Sequence, residues 1–504
     1  MPPSADQPGG AVYLVGGGPG DPGLITVRGL RLIERADVIF YDALAPTELL
    51  AHAPAHARIV YVGKKRTEHA YSQQEINEMM IAEARAGKRV VRLKGGDPYV
   101  FGRGGEEAEA MHDAGVRCIA VPGVTSPLGV SAYAGIPLTH RGYTSAVTFL
   151  TGHDVPRVDW TRLGHTETLV IFMGLTVFGE IARHLIAAGR PADTPAAAVR
   201  WGTRGRQETI TGTIATLQER IAESKVRPPA LIIVGDVVHM HQKLAWFERL
   251  PLFGRTVVVT RAREQAAEMC EQLRELGADA IELPTIEIRP PGDWGPLDRA
   301  IANLETYDWL LYTSANGVKY FLDRLDAGGR DLRSIRGRIC AIGPATAAAL
   351  AAVHLRADVM PEKFVAEGLL EALGGHDLAG GKILLARAAE ARDVIPVELG
   401  KRGAAVDVAP AYQTVAPEHC AESAKQIFGA SEKPDWITFT SSSTVRNFAA
   451  VCPAERLAGT KVASIGPITS QTARELGFTV NVEARDYTVE GLIAAILSFE
   501  GRSP

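Results

Sequence analysis

The sequence predicts an α/β protein built as two tandem halves, and three observations predict it. Short apolar strands alternate with helical patterns along all 504 residues, a fresh strand-to-helix unit starts near residue 255, and the stretch beyond that point contains an internal duplication. Such alternation implies mainly parallel sheets covered by helices. The length calls for more than one core, because single cores stop growing at about 250–300 residues.

In order, AVYLVG (11–16) is a strand entering a glycine-rich turn, TVRGLRLIERA (26–36) is helical, and DVIFYD (37–42) is again a strand. SQQEINEMMIAEARAG (72–87) opens with Ser72 and Glu75 at capping-box spacing and stops at Gly87, and RVVRL (89–93) follows as a strand. PALIIVGDVV (229–238) closes the first half, WFERLPLFG (246–254) marks the boundary, and RTVVVTRAR (255–263) begins the second. The expected domains are a tail over 1–10, a first half over 11–247, a linker over 248–254 and a second half over 255–502.

The duplication has several matched segments in one order. VVVTRA (257–262) resembles ILLARA (383–388), displaced by 126, and Gly277-Ala278 with Gly403-Ala404 and Pro284 with Pro410 share that displacement. DWLLYTSANGV (308–318) recurs as DWITFTSSSTV (435–445), and AIGPATAAAL (341–350) recurs as SIGPITSQTA (464–473). A period this long means two similar α/β lobes, since solenoid repeats run about 20–50 residues.

Composition narrows the function classes. Hydrophobic residues at 46% and charged residues at 22% fit a soluble globular chain. A net charge of −4 argues against a general nucleic-acid binder, yet local arginine clusters can still hold small anions. Five cysteines without a CxxC argue against a disulfide framework or a zinc site. No run approaches the roughly 18 apolar residues of a membrane span, and the first ten residues read as a tail, not a signal peptide. The cytoplasm is the expected compartment. Pro54 spoils the helical spacing of His52 and His56, and His239 and His241 lack a third ligand, so no metal is expected.

VGGGPGDPG (15–23) follows a strand and precedes a helix. A dinucleotide fold competes here, with Gly16 and Gly18 as its first two glycines and Asp42 as its ribose-binding acid. Asp21 stands in the third glycine position, however, and an acid near a helix start is a poor host for pyrophosphate. VVRLKGGDPYVFGRGGEE (90–107) and VPGVTSPLGVSAYAGIPLTHRG (121–142) decide the matter. With the first loop, over residues 11–246, they closely resemble uroporphyrinogen-III C-methyltransferases of the tetrapyrrole methylase family. The resemblance implies a two-lobed α/β homodimer using S-adenosyl-L-methionine. It implies cofactor contacts at Pro19, Gly95, Gly96, Asp97, Val100, Thr125, Ser126, Met173, Gly202 and Ala230. Core filling is the competing role for Met173.

The resemblance also implies acid/base work by Asp42 and Lys64, each just after a strand, where open α/β sheets present ligands. The competing readings are a strand-end cap for Asp42 and a plain basic loop, Lys64-Lys65-Arg66. The implied substrate carries eight carboxylates, which a guanidinium grips with paired hydrogen bonds. Arg103 in FGRGGEE and Arg141 in THRG are the candidates, with Glu106 orienting Arg103. Solvated surface is the alternative for either arginine.

Residues 255–500 resemble uroporphyrinogen-III synthase through VVVTRAR, LYTSANGV, AIGPAT, FVAEGLL (364–370), PAYQT (410–414), TFTSSSTV and SIGPITSQTA. This implies two lobes joined by a two-stranded link, one lobe over 255–285 plus 414–502 and the other over 286–413. The repeated TS and GP turns each follow a strand and open a helix. Thr313, Ser314, Thr346, Thr440, Ser441 and Thr469 are therefore candidate carboxylate-binding positions, with ordinary N-capping as the rival. The family's reaction closes linear hydroxymethylbilane to uroporphyrinogen III with inversion of the last ring. Tyr412 in AYQT is implied as proton donor to the leaving hydroxyl, against a half-buried strand tyrosine. The combined expectation is a bifunctional enzyme whose first half methylates uroporphyrinogen III at C2 and C7 to precorrin-2. The alternatives are a methylase with a degenerate, binding-only second half, a methylase of another substrate, and an NAD-dependent enzyme, for which no separate GxGxxG unit is present.

Overall fold

The computed structural model describes residues 10–63, 71–417, 419–430 and 432–502, apart from the Glu264 side chain. Among these residues, twenty strands form four five-stranded sheets, two in each half. In the first lobe β1 (Ala11–Gly16), β2 (Val38–Tyr41), β3 (Arg58–Tyr61), β4 (Arg89–Lys94) and β5 (Arg117–Val121) lie parallel in the order β3-β2-β4-β1-β5. β1, between β4 and β5, is buried on both faces because helices cover both. Ile76, Met80 and Met111 pack on one side, and Ile33 packs on the other. The capping box expected at Ser72 and Glu75 starts the helix Gln73–Arg85.

The second lobe contains β6 (Val147–Thr151), β7 (Thr168–Phe172), β8 (Pro195–Arg200), β9 (Glu208–Thr213) and β10 (Ala230–Val234), ordered β6-β7-β10-β8-β9. Only β6 and β7 are parallel here, unlike the mainly parallel sheets expected. For β9 the reason is local. Residues 201–207 are too short for a crossover, so β9 must turn back beside β8.

In the second half β11 (Thr256–Val259) and β12 (Asp279–Glu282) begin one lobe. The chain then crosses to β13 (Glu287–Arg289), β14 (Trp309–Tyr312), β15 (Arg338–Ala341), β16 (Lys382–Ala388) and β17 (Ala405–Val415). It returns for β18 (Trp436–Phe439), β19 (Lys461–Ser464) and β20 (Val480–Glu483). The sheet orders are β12-β11-β18-β19-β20 and β13-β17-β16-β14-β15. The duplicated sequences make β11 equivalent to β16 and β18 equivalent to β14, so β12-β11-β18-β19 coincides with β17-β16-β14-β15, while the fifth strands, β20 and β13, lie on opposite edges. Each repeat therefore lends its first strand-helix-strand unit to the other: β11 pairs with β18, and β16 pairs with β14. β13 lies antiparallel to the end of β17, with Glu287 opposite Val415, so the two crossings run side by side. β17 continues through the lobe switch expected at 413/414.

The structure adds a matched segment to the duplication. YTVEGLI (487–493) stands to FVAEGLL (364–370) as Gly466 stands to Gly343, each displaced by 123. Correspondingly, the Tyr487 ring covers Gly466 and the Phe364 ring covers Gly343, where an added Cβ would meet ring carbons at 3.0 and 3.3 Å.

The segment expected as a linker, 248–254, is packed. Leu252 is fully buried with Met269, Cys270 and Leu273, Phe253 meets Phe247 edge to face, and the Gly254 amide donates to the Gly205 carbonyl at 2.9 Å. Its apolar content explains this, because leaving those side chains in water would be unfavourable.

Candidate functional site

A cleft of about 440 Å³ opens between the two lobes of the first half. Strand-end loops wall it, and seven of the ten residues proposed for cofactor contact lie on it: Pro19, Gly95, Gly96, Ser126, Met173, Gly202 and Ala230. They come from segments more than 200 residues apart. Gly96 and Gly18 exchange backbone hydrogen bonds of 2.7 and 3.3 Å, which brings the first two glycine loops together. Gly96 has φ +69°, and a Cβ there would meet Ser126 Oγ at 3.2 Å, so both backbone shape and space favour glycine.

The other three sit behind this wall. Asp97 accepts the Tyr99 amide at 2.8 Å and the Gly123 amide at 3.1 Å, so its carboxylate ties loops together. Thr125 is buried at the start of the helix Ser126–Tyr133, and Val100 lies in the turn after Asp97. Met173 is 53% exposed and is not core filler.

Strain collects around this cleft. Among the described residues seven non-glycines have left-handed backbone, and five are here: Phe101, Arg103, Met173, Trp201 and Thr203. Met173 and Trp201 line the cleft, and the Phe101 ring packs on the lining residue Phe172 at 4.8 Å. Each such residue costs about 1–2 kcal/mol, which persists only where surrounding structure enforces it.

Asp42 follows β2, and its neighbours Ala43 and Leu44 line the cleft. Arg92 Nη2 donates to Asp42 Oδ2 at 2.9 Å, and the Leu44 amide donates to Oδ1 at 3.1 Å. Behind Asp42 lies a buried charge network that the sequence reading missed. Arg92 Nε donates to Glu107 at 3.1 Å, and Lys94 Nζ donates to both Glu107 oxygens at 3.0 and 2.9 Å. Glu107 is fully buried, and Arg92 and Lys94 are each 4% exposed. Burial and then the Arg92 charge hold the Lys94 ammonium below its usual pKa, while Glu107 opposes them. A signal existed: after Arg89, Arg92 and Lys94 alternate with Val91 and Leu93 along the strand. Lys64 lies outside the described residues.

Arg103 and Glu106 form an exposed forked pair of 2.6–3.1 Å, and the Glu106 hydrogen bond raises the Arg103 pKa. Arg141 is exposed in the turn between His140 and Thr144.

In the second half the four TS and GP turns divide two and two between the lobes. Ser314 Oγ accepts the Gly317 amide at 3.0 Å and Ser441 Oγ accepts the Thr444 amide at 3.2 Å, so both act as N-caps. Thr313 and Thr440 are half-buried beside them. Thr346 and Thr469 are largely buried, each in the first turn of the helix that its GP turn opens. Ser314 Oγ also lies 3.0 Å from the Tyr412 hydroxyl, and the Tyr412 ring stacks on Tyr320. Burial raises the Tyr412 pKa, and the Ser314 bond partly offsets it. No group of three or more His, Cys, Asp or Glu side chains placed to hold a metal occurs among the described residues. No helix described is long and apolar enough to cross a membrane.

Comparison with known proteins adds to this geometry. The family of tetrapyrrole (corrin/porphyrin) methylases matches residues 11–218, and uroporphyrinogen-III synthase HemD matches residues 267–494. The porphyrin biosynthesis protein HemD of Ruminiclostridium josui is 37% identical over 505 residues, covering 98% of each chain. The uroporphyrinogen-III C-methyltransferase of Bacillus subtilis is 39% identical over 340 residues, covering 66% of this chain and 69% of that protein. The crystal structure of uroporphyrin-III C-methyl transferase from Thermus thermophilus, complexed with S-adenyl homocysteine, is 40% identical over 45% of this chain and 99% of that one, with a TM-score of 0.40.

Proposed function

The chain belongs to the porphyrin-biosynthesis proteins that join a tetrapyrrole methylase to a uroporphyrinogen-III synthase, and on that premise we propose that its second half makes uroporphyrinogen III and its first half methylates it. The second half cyclises hydroxymethylbilane with inversion of the last ring. The first half adds methyl groups at C2 and C7, giving precorrin-2. One observation supports the placement most: residues singled out in six separate segments converge on one cleft in the first half.

The cleft suits S-adenosylmethionine. It has room for the nucleoside and the amino-acid chain, and glycine backbone forms part of its wall. When bound, that group supplies an electrophilic methyl. The protein's part is to hold and orient the tetrapyrrole and to move its protons. In this reading Asp42, fixed by Arg92, takes the pyrrole proton and leaves the ring carbon more electron-rich. Arg103 and Arg141 meet substrate carboxylates, and self-association runs through this half. In the second half the Tyr412 hydroxyl, 3.0 Å from Ser314 Oγ, donates a proton to the leaving hydroxyl.

Gly96→Leu tests the cleft. The left-handed backbone and the Ser126 contact leave no room for the side chain except towards the ligand or by displacing the loop. We expect S-adenosylhomocysteine affinity to fall at least about tenfold, or 1.4 kcal/mol. Unchanged affinity in a folded Gly96→Leu protein would put the cofactor elsewhere.

Mass and isomer analysis of products from hydroxymethylbilane plus S-adenosylmethionine tests the whole reading. The expected product is the inverted isomer bearing two added methyl groups. Tyr412→Phe should slow cyclisation by about 10²-fold, the lower range for a lost general acid, while supplied uroporphyrinogen III is methylated at the normal rate. Only the uninverted isomer from the intact chain would defeat the synthase assignment.

A further inference from the structure

The loop between β8 and β9 joins the two halves. Its first residues, Trp201, Gly202 and Arg204, wall the methyl-donor cleft. Trp201 and Thr203 hold φ of +48° and +73°, conformations that a free loop would leave. Several contacts enforce them. Thr203 Oγ1 accepts the Asp21 amide at 2.9 Å, the Thr203 amide donates to Gln207 at 3.0 Å, and Arg204 pairs with Glu48 at 3.3 Å.

The remaining contacts come from the second half. Gly205 lies directly on its backbone: a Cβ there would sit 2.1 Å from the Asp279 nitrogen and 2.3 Å from the Ala278 carbonyl carbon. The Gly205 carbonyl accepts the Gly254 amide at 2.9 Å. Arg206 stacks over the Trp201 ring at 4.2 Å and reaches Asp279 at 3.6 Å. The loop thus has one end in the cleft and the other clamped by the start of β12, which belongs to the synthase half.

We propose that the synthase half positions the methyl-donor site, by clamping residues 201–206 through Gly205, Gly254 and Asp279. Asp279 is a positioning residue, acting through Arg206 and Trp201 on the cleft wall. The inference rests on the reading of that cleft as the S-adenosylmethionine site. In consequence, the fusion completes the methylase structurally, besides bringing two activities close together.

The test uses the full chain with Gly205→Val and, separately, Asp279→Lys. Gly205→Val forces the two backbones apart. We expect it to raise the S-adenosylhomocysteine dissociation constant and the KM for S-adenosylmethionine about tenfold, or 1.4 kcal/mol, with methylation kcat at saturating donor nearly unchanged. Asp279→Lys changes only the synthase side and sets a like charge against Arg206. It should shift the same two constants about threefold and speed amide exchange at residues 202–206. Cyclisation of hydroxymethylbilane should stay within about twofold in both, as for ordinary surface changes. If Gly205→Val does not fold, Asp279→Lys decides alone. Unchanged donor constants in a folded Asp279→Lys chain would overturn the clamp. Failure of the cleft reading looks different, because Gly96→Leu would then also leave S-adenosylhomocysteine affinity unchanged.

Discussion

Glu107→Ala is expected to destabilise the first half by about 3–5 kcal/mol, the cost of breaking a buried ion pair from one side, and to abolish methylation while cyclisation by the second half persists. Glu107 is fully buried and accepts hydrogen bonds from Arg92, from Lys94 and, at 3.2 Å, from Gln73. Its removal leaves two cations in the core without their shared counter-charge. Lys94, already held below its usual pKa, can shed its proton. Arg92 cannot, and its hold on Asp42 loosens as it seeks water. Calorimetry of the full chain should show the first-half transition moving down while that of the second half stays put. A triple replacement of Arg92, Lys94 and Glu107 by Met should recover much of the stability, as apolar replacements of buried ion clusters often do, but not methylation. A loss below about 1 kcal/mol for Glu107→Ala would mean that the network is open to water.

Local features were readable in the residue pattern itself, whereas the interleaving of the second half's lobes came only through the family resemblance. Strands β1, β2 and β4 and the helix capped at Ser72 follow from patterns that lie within one element. The duplication showed that the second half holds two similar lobes. It could not show that the repeats exchange units, since sequence similarity does not record whether β11 pairs with its own repeat or, as observed, with β18. The antiparallel part of the β6–β10 sheet escaped for the same reason: alternating helices and strands fix no strand direction. At the site, the family resemblance pointed to Gly95, Gly96 and Gly202, and of these Gly96 has the left-handed backbone that favours glycine. Trp201 and Thr203 hold left-handed backbone that their residue types disfavour, so tertiary contacts alone place them there. Glu107 reads as one of two adjacent acids, and only the face of the helix Gly104–Asp113 decides that it is buried while Glu106 is exposed.

Asp42→Asn is expected to lower methylation turnover by about 10²–10⁴-fold, the range for a lost general base, with S-adenosylhomocysteine affinity within about twofold of normal, as for a residue off the ligand-binding wall. The shape is nearly conserved, so the effect isolates chemistry from packing. The carboxylate now accepts from Arg92 through one oxygen and from the Leu44 amide through the other, an arrangement in which both neighbours are donors. An asparagine can satisfy only one of them as acceptor, and its amide hydrogens must face the other donor. It also cannot take up the pyrrole proton. A strand-end cap would behave differently: its loss would lower stability modestly and leave turnover intact. The kinetic signature is therefore a fall in kcat at unchanged donor KM, measured with uroporphyrinogen III supplied directly so that the second half plays no part. Normal kcat in Asp42→Asn would remove Asp42 from the chemistry and leave it as the cap of β2, with Arg92 merely neutralised by it.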